Sequence, residues 1–541
     1  MLQIPAAMST ASRRGRVRPR PGASRAAATA TASVLLTLAA VVPACKLDQN
    51  GVSPPLDRVA FPASALVDPD GHWLYVANSN SDLRYNNGTL VAVDLEAAMD
   101  DRFGAGAGKW SVCAGADRVR VDSDPDPCCW DYLDHQILNC DDRLYVPPSS
   151  TVEIGSFSAG MAYQAPLATC PPNADSTAAA AKSGQRHDCV CPTSPSPGRL
   201  YVGVRGNSSL TWVAVGRVND GKLRPIAGKP NLDRSRPVFS CPDPLSDDPH
   251  ACTVTETTAG FSTASGATAE TPVHVPDEPY ALALDEQQDL LYVGNLRGDT
   301  AHPQTGGISL FDVARDRPGA APVFLQATPA FFNPDANGQF GVTSLTLRNS
   351  KVYVTSRYGT NAVDVIPSIP NQCGAAMNIS LSTGGDVFTT PLAGAELRGI
   401  QFLPEGNRAF VLQRTPPALV GFDTSTNPLA FGNFPSDVLE TCASPTFLQA
   451  YDSGEGTRLY VTCFDAGQIY VFDPYVPRLI EVINAGAGPA GLAFPRQLGE
   501  HPVAYVVGFS ANDIGVIDLM PGSPTQYHVV QRIGFPSVVP R

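Results

Sequence analysis

The stretch LYVTCFDAGQIYVFD, from Leu459 to Asp473, contains the unit that decides the fold. An aromatic-valine strand is followed by a polar turn and by a second strand that ends in Asp. Alternating apolar and polar positions, rich in β-branched and aromatic residues, predict two β-strands. Six further copies lie between residues 74 and 518, so the chain is a repeat protein. They are LYVANSNSDLRYNNGTLVAVD (from Leu74), LYVGVRGNSSLTWVAV (Leu200), LYVGNLRGDTAHPQTGGISLFDV (Leu291), VYVTSRYGTNAVDVI (Val352), AFVLQRTPPALVGFD (Ala409) and AYVVGFSANDIGVID (Ala504).

Further strands surround most copies. An apolar strand precedes the copy, as in PYALALDEQQD from Pro279, and an outer strand follows it, as in RLIEVINAG from Arg478. Four strands per unit make a propeller blade. The leading aromatic residues of the last four copies are 57, 50 and 45 residues apart, which are spacings typical of blades. The sequence therefore predicts an all-β fold, a single seven-bladed β-propeller domain over residues 56–541.

The strands YVAN at Tyr75 and YVGN at Tyr292 carry a resemblance to a known family. The chain resembles the YVTN-type β-propeller repeat proteins over about residues 56–541. This resemblance implies a seven-bladed ring. It also implies an alternative to simple binding, because related seven-bladed families include hydrolases and lactonase-like enzymes with a site at the central mouth.

The N-terminal residues have the pattern of an export signal. Several arginines precede an apolar stretch, Ala26–Val42, and the small residue Ala44 comes directly before Cys45. This order resembles a bacterial lipoprotein signal, which implies a signal peptide over 1–44, a lipidated Cys45 and a short linker over 45–55. Lys46 is not the Asp that marks retention in the inner membrane, so we expect an outer-membrane lipoprotein facing the periplasm or the cell surface. A plain secretory signal and an uncleaved anchor are the alternatives.

Cysteine usage agrees with export. The thirteen cysteines become twelve when Cys45 is set aside, and an even number in an exported chain predicts disulfides. Nine of the twelve lie between residues 95 and 276 and three lie beyond, so full pairing needs at least one bridge between the groups. Cys241–Cys252 and Cys442–Cys463 are the local pairs that we predict.

Three long insertions interrupt the first two blades. They fall near residues 96–150, 167–198 and 217–270, and they carry most of the cysteines. In an up-and-down blade, the first-to-second and third-to-fourth connections emerge on the same face. The insertions are therefore predicted to share one face of the propeller, where disulfides hold them.

An arginine recurs in register after the aromatic-valine strand. It stands four or five positions after the strand's aromatic residue in four copies, and in the first copy it lies later in a longer turn. Arginines there would surround the opposite face and bind carboxylate or phosphate in a bidentate manner. The alternative is that each pairs with an Asp of its own or a neighbouring blade. The candidate anion-binding residues are Arg84, Arg205, Arg297, Arg357 and Arg414.

An acidic segment is the candidate cation site. Asp122, Asp124 and Asp126 alternate in the first insertion, and oxygen ligands on a loop are what Ca²⁺ prefers. Pro125 and Pro127 stiffen the segment and it lacks an EF-hand pattern, so a disulfide-held acidic loop is the alternative. We expect no cofactor apart from such a calcium ion.

Charge and motifs narrow the function. The net charge of −13 excludes nucleic acid as the main partner, because phosphate binding needs a basic surface. No nucleophile elbow, metalloprotease motif, dinucleotide motif or Walker loop occurs, so catalytic residues are not assigned. We therefore predict a monomeric, lipid-anchored scaffold that binds envelope proteins or anionic polymers. The alternative is a propeller hydrolase or lactonase-like enzyme.

Overall fold

The computed structural model describes most of the chain from residue 52 onward. The described residues are 52–104, 107–113, 126–166, 196–226, 235–241, 250, 252, 273–275, 278–297, 305–313, 315, 321–329, 341–349, 351–357, 363–367, 395–424, 435–496 and 501–534. No helix among them is long and apolar enough to cross a bilayer. The expected signal peptide over 1–44, Cys45 and most of the linker over 45–55 lie outside the described residues.

The first fifteen strands fill the N-terminal part of the described chain. In chain order they are β1 (Pro62–Val67), β2 (Trp73–Asn78), β3 (Gly88–Asp94), β4 (Cys128–Trp130), β5 (Leu138–Cys140), β6 (Thr151–Ile154), β7 (Ser158–Gln164), β8 (Gly198–Val204), β9 (Ser209–Val218), β10 (Arg236–Ser240), β11 (Val273–His274), β12 (Pro279–Asp285), β13 (Leu290–Asn295), β14 (Thr305–Asp312) and β15 (Val323–Pro329).

Fifteen more strands follow at closer intervals. They are β16 (Val342–Arg348), β17 (Lys351–Ser356), β18 (Asp364–Pro367), β19 (Ala395–Phe402), β20 (Arg408–Thr415), β21 (Ala418–Asp423), β22 (Pro435–Glu440), β23 (Pro445–Asp452), β24 (Thr457–Cys463), β25 (Gln468–Asp473), β26 (Arg478–Asn484), β27 (Pro489–Ala493), β28 (Val503–Gly508), β29 (Asp513–Asp518) and β30 (Val529–Ile533).

These strands form up-and-down sheets. Their orders are β1-β2-β3-β6, β7-β8-β9-β10, β12-β13-β14-β15, β16-β17-β18, β19-β20-β21-β22, β23-β24-β25-β26 and β27-β28-β29-β30-β5-β4, and β11 adds to β9. Six sheets have four or more strands, which is a complete blade. The sheet β16-β17-β18 has three strands among the described residues. Six complete blades are therefore described, against the seven that the sequence predicts.

The sheets are arranged in a ring. The first strand of each sheet, β1, β7, β12, β16, β19, β23 or β27, contacts the first strand of the next, and β27 contacts β1. Apolar cores lie between consecutive sheets. One of them joins Tyr201 and Trp212 to Leu291, Val293 and Phe311 of the following sheet. The predicted all-β propeller is thus confirmed.

The repeated aromatic-valine strand is the second strand of its sheet. Both of its faces are covered by the neighbouring sheets, so every residue of β2, β13 and β28 is buried. Burial on both faces explains why these strands are almost continuously apolar in sequence. A polar substitution in the middle of such a strand would leave a buried group without a hydrogen-bond partner.

The first insertion lies between β3 and β6. It begins with helix α1 (Leu95–Phe103), where the carboxylate of Asp94 accepts from the backbone N–H of Ala97 and so caps the N-terminus. Single 3₁₀ turns occupy Ala107–Lys109, Asp142–Leu144 and Pro148–Ser150. Within the insertion β5 pairs in parallel with β30, and β4 extends the same sheet. The insertion of the first sheet is therefore joined to the last sheet.

The second and third insertions are described only in part. Of residues 167–198, the structure describes the last three. The stretch 217–270 is not one continuous excursion, because Arg236–Ser240 returns as β10 and pairs with β9. Before that strand, Arg224 reaches the first insertion and contacts Asp101 at 2.8 Å. The first and third insertions therefore contact each other. This contact lies at the end of the strands opposite to the β2–β3 turn.

Four disulfides link described cysteines, and all but one lie in the insertions. The predicted pairs Cys241–Cys252 and Cys442–Cys463 are both confirmed. The first insertion contains two more that the sequence did not assign, Cys113–Cys129 and Cys128–Cys140. The remaining cysteines, Cys170, Cys189, Cys191 and Cys373, lie outside the described residues.

Candidate functional site

One backbone feature recurs at the start of the first strand of every sheet. A residue there has φ between 49° and 67°, and a register shift follows it in the pairing with the second strand. Five of the seven residues are not glycine, although this conformation costs an L-residue about 1 kcal/mol. Strained positions of this kind concentrate at functional sites. The residues are Phe61, Phe157, Glu278, Gly341, Glu396, Ser444 and Gly488.

The backbone carbonyls at these positions hold the turns between second and third strands. The residue that follows the second strand donates its N–H to such a carbonyl, from Arg205 to Phe157 at 3.1 Å and from Arg357 to Gly341 at 2.6 Å. The same bond joins Phe509 to Gly488. Since the first strands surround the ring axis, these turns lie beside the central opening. We use the name mouth for this region, which consists of the starts of the first strands and the turns between second and third strands.

Glu278 joins two of the predicted arginines. Its Oε2 lies 2.7 Å from Nη2 of Arg205, and its Oε1 lies 3.3 Å from Nε of Arg297. Arg205 precedes Glu278 by 73 positions and belongs to the preceding sheet. The guanidinium of Arg205 also lies 5.9 Å from the ring centre of Tyr280, within range of a cation–π contact. The carboxylate therefore holds together turns of adjacent sheets.

Glu396 joins the other two predicted arginines and one more. The nitrogens of Arg398, Arg357 and Arg414 lie 3.4, 3.5 and 3.6 Å from its carboxylate oxygens. Charge-assisted hydrogen bonds are normally 2.7–2.9 Å long. One carboxylate is thus shared loosely among three guanidinium groups. We call Glu396, Arg357, Arg398 and Arg414 the mouth cluster.

The described part of the mouth that comes from the second to fifth sheets is cationic, although the protein is acidic. Arg205, Arg297, Arg357, Arg398 and Arg414 face two carboxylates, which leaves an excess of three positive charges among these described residues.

Arg398 is the most buried of the five arginines, with 8% of its side chain exposed. The pKa of Arg398 is lowered, mainly by burial and further by the positive charges of Arg414 and Arg357. Among the described residues the Nε of Arg398 and the Nε of Arg205 have no hydrogen-bond partner, but both atoms are buried. The side chains that a further acceptor can reach are those of Arg205, Arg357 and Arg414, which are 37%, 38% and 31% exposed.

Arg84 does not join this group. It lies in the longer turn of the first sheet, where its half-exposed guanidinium contacts Asp82 at 3.2 Å. The predicted pairing of arginine with Asp is thus found here, whereas the other four predicted arginines contact Glu. The sequence pattern did not predict Glu278, Glu396 and Arg398 as site residues. The one signal for them was a charged residue at the start of an otherwise apolar first strand.

Aromatic residues occupy the mouth in the remaining sheets. Phe464 and Phe509 stand four residues after the strand's aromatic residue, the register that Arg205, Arg357 and Arg414 occupy in other sheets. Phe509 lies 5.7 Å from Phe61 and 6.0 Å from Phe464, measured between ring centres. All three rings are half-buried. We call them the aromatic cluster.

The predicted cation site is only partly described. Asp122 and Asp124 lie outside the described residues, and Asp126 accepts a hydrogen bond from the hydroxyl of Ser111 at 3.2 Å. In the part of the chain that the structure describes, no group of three or more acidic, His or Cys side chains is arranged to hold a metal. The calcium prediction therefore stays a prediction.

A second group of charged side chains lies in the insertions. Asp101 is fully buried and accepts from Tyr145 at 2.8 Å, while Arg224 lies 2.8 Å and Lys109 3.3 Å from its carboxylate. We call these four residues the insert cluster. Its carboxylate is surrounded by close donors, which is the arrangement of a structural contact.

Comparisons with known proteins add no function. No protein-family model matches the sequence, and no curated protein matches it. Among solved structures, hydrazine synthase of Kuenenia stuttgartiensis is 12% identical, with 88% of this chain and 98% of that one covered and a TM-score of 0.43. The periplasmic gluconolactonase PpgL of Pseudomonas aeruginosa is 15% identical, covers 62% of this chain and 83% of its own, and has a TM-score of 0.40. A putative 6-phosphogluconolactonase from Bacteroides uniformis is 13% identical, with 80% of this chain and 87% of that one covered and a TM-score of 0.39.

Likeness at these TM-scores carries no argument, so the fold rests on the strand pairing and the ring of first strands. The strand pairing and the mouth define the class: a β-propeller whose central opening is lined by guanidinium groups.

Proposed function

We propose that this protein is a lipid-anchored binding protein of the bacterial envelope whose mouth binds an anionic group. The single observation that carries the proposal is the mouth cluster, in which three guanidinium groups share one carboxylate at 3.4–3.6 Å. The ligand is a carboxylate or phosphate presented by an envelope protein or an anionic polysaccharide. Fold alone assigns no function, so the proposal rests on the site.

The charges explain why an anion would bind there. Bringing guanidinium groups together out of water costs free energy unless acceptors compensate them. Glu396 lies 3.4–3.6 Å from the nearest nitrogen of each of the three arginines, which is longer than a close charge-assisted hydrogen bond. An additional oxyanion would supply acceptors, and the planar guanidinium suits carboxylate and phosphate. The strained starts of the first strands fix the positions of these side chains before any ligand arrives.

The ring is proposed to have seven blades of the YVTN type. The three-stranded sheet β16-β17-β18 counts as a blade in this proposal, because its first strand contacts those of the sheets before and after it. Its aromatic-valine strand is VYVTS, one of the seven copies of the repeated unit.

The anchor is proposed to be a lipid on Cys45, close in sequence to the start of the described fold. The chain enters the described fold at Val52, whose carbonyl accepts from the N–H of Asn86 in the turn between β2 and β3. Cys45 precedes Val52 by seven positions.

Membrane fractionation tests the anchor. The Cys45→Ala variant is expected in the soluble envelope fraction, whereas the unaltered protein is expected with outer membranes. Continued association of the variant with membranes contradicts lipid anchoring at Cys45.

Calorimetry tests the mouth with two defined probes, inorganic phosphate and polygalacturonate. Replacing Arg357, Arg398 and Arg414 together by Gln is expected to lower the affinity at least tenfold, since each charge-assisted hydrogen bond contributes about 1.5–3 kcal/mol. Arg84→Gln is the matched control and should bind like the unaltered protein. Equal affinities for the triple variant and the control would refute the proposal.

The same variants separate binding from catalysis. Turnover of a sugar lactone by the unaltered protein, lost in the triple variant, would show the lactonase-like alternative instead.

A further inference from the structure

The mouth is divided into two parts of different chemistry. The arginines and their two glutamates come from the second to fifth sheets, while the aromatic cluster comes from the sixth, seventh and first. In five of the seven sheets the difference arises at one register position, which is Arg205, Arg357 or Arg414 in one part and Phe464 or Phe509 in the other. The first and third sheets have Ser79 and Leu296 at this position.

The two parts adjoin at both of their borders. On one side, Nη2 of Arg414 lies 3.4 Å from the hydroxyl of Ser444, the residue at the start of the sixth sheet's first strand. On the other side, Phe157 accepts from the N–H of Arg205 and donates its own N–H to the carbonyl of Ser79 in the first sheet. The sheets that carry the arginines are thus joined at both borders to the sheets that carry the aromatic cluster.

The aromatic cluster is held in place but not fully covered. The backbone of Phe61 is held by a hydrogen bond, in which its N–H donates to the side-chain oxygen of Asn512 at 2.7 Å. Phe464 directly follows Cys463, which the disulfide to Cys442 ties to the start of its sheet. Half-buried rings beside a cationic surface are suited to stacking against a flat or apolar group.

We propose that the ligand of the mouth is an anion carried on a ring: its phosphate or carboxylate contacts the arginines and its ring packs on the aromatic cluster. This inference rests on the proposed function and narrows the ligand class from any anion to a ring-bearing one. Neither a bare oxyanion nor a neutral ring would use both parts of the surface.

The test compares phenyl phosphate with inorganic phosphate by calorimetry on the full chain. Phenyl phosphate is expected to bind about tenfold more tightly, since stacking and burial of one ring account for a factor of that size. Phe509→Leu and Phe464→Leu, made separately, are expected to remove most of this preference and to leave the affinity for inorganic phosphate within about twofold. Tyr475→Leu is the matched control, because Tyr475 is an exposed aromatic residue in the turn between β25 and β26, at the other end of the strands.

The outcomes separate the two proposals. If inorganic phosphate binds and phenyl phosphate binds no more tightly, the inference about the ring is wrong and the anion site stands. If neither phosphate binds the unaltered protein, the proposed function fails and this inference fails with it. A preference that persists in both leucine variants, each folded by circular dichroism, also overturns the assignment to the aromatic cluster.

Discussion

The insert cluster and the mouth cluster each combine one carboxylate with positively charged side chains, but they differ in how closely the donors approach that carboxylate. In the insert cluster, the fully buried Asp101 accepts from Tyr145 at 2.8 Å and lies 2.8 Å from Arg224. In the mouth cluster, Glu396 is 27% exposed and three arginines share it at 3.4–3.6 Å. One carboxylate has donors converging on it, and the other is outnumbered by guanidinium groups that it cannot reach closely.

This difference indicates which arginines stabilise the fold and which are available to a ligand. A buried carboxylate with close donors is costly to disturb, because removing one partner leaves the others uncompensated. A guanidinium group with a distant, shared acceptor contributes little to folding and retains donors for another oxyanion. Five substitutions test this comparison, and they are taken from the largest expected effect to the smallest.

Asp513 and Arg532 form a third pair, in which the carboxylate is buried and the nearest arginine nitrogen lies 4.0 Å away. Burial raises the pKa of Asp513 from 3.8 to about 7, although Arg532 opposes the rise. Between about pH 4 and 7 the folded state therefore holds a proton that the unfolded state has lost. The stability from this group is fully present below pH 4 and is lost as the pH rises through 7, by roughly 4 kcal/mol.

Urea unfolding of the Asp513→Asn variant at pH 4.5 and pH 8 measures this loss. The free energy of unfolding of the variant should depend less on pH than that of the unaltered protein, and the variant should be more stable at pH 8. A smaller dependence of the same sign is expected to persist, because burial also raises the pKa of Asp142 to about 6. Parallel profiles for the two proteins would contradict the prediction.

Asp101→Asn breaks the insert cluster at its centre. The amide cannot compensate Arg224 and Lys109, and the buried site leaves one of its groups without a suitable partner. We expect the free energy of unfolding to fall by about 3 kcal/mol. Phosphate binding at the mouth should be unchanged, since α1 begins at the end of β3 remote from the mouth. Loss of phosphate binding in a folded variant would show that the two clusters are not independent.

The same substitution at two arginines compares the clusters directly. Arg224→Met removes close partners from a buried carboxylate and is expected to cost about 2 kcal/mol. Arg398→Met removes a buried cation with a distant acceptor, so stability should change by less than about 1 kcal/mol while phosphate affinity falls about tenfold. Chemical denaturation and calorimetry measure the two effects. Equal destabilisation by both substitutions would remove the distinction between the clusters.

Arg84→Gln should have the smallest effect. Its contact with Asp82 is exposed, and such pairs contribute little because water and salt screen them. We expect a change in the free energy of unfolding within about 0.5 kcal/mol. A loss above 1 kcal/mol in thermal or urea unfolding would show that position in the repeat, rather than burial, decides the role of an arginine.

Much of the fold follows from the sequence because its signals are local. Alternation of apolar residues and turn residues is readable within fifteen positions, and the seven copies predict a propeller. The Cys241–Cys252 and Cys442–Cys463 bridges were also predictable, since their partners lie 11 and 21 residues apart. The pairing of β5 with β30 was not, because nearly four hundred residues separate the two strands.

The candidate site was predictable only in part. All five candidate arginines lie at the second-to-third end of their strands, and four of them contact a glutamate of a first strand, but the register gave no partner for them. Arg84 and Arg205 occur in copies of the same repeated unit, but their surroundings differ. The turn that contains Arg84 is longer and provides a carboxylate, Asp82, for it. Burial of Arg398 depends on the packing of first strands around the axis, which no single repeat encodes.

By itself, the sequence determined the repeated strands, their turns and the arginines placed in register after them, because these depend on neighbours within one unit. Only the tertiary structure decided that Glu278 and Glu396 each hold arginines of two sheets, and that phenylalanines complete the opening. Those contacts arise when the ring closes, since closure brings residues that are distant along the chain to one axis and sets how many donors share each carboxylate.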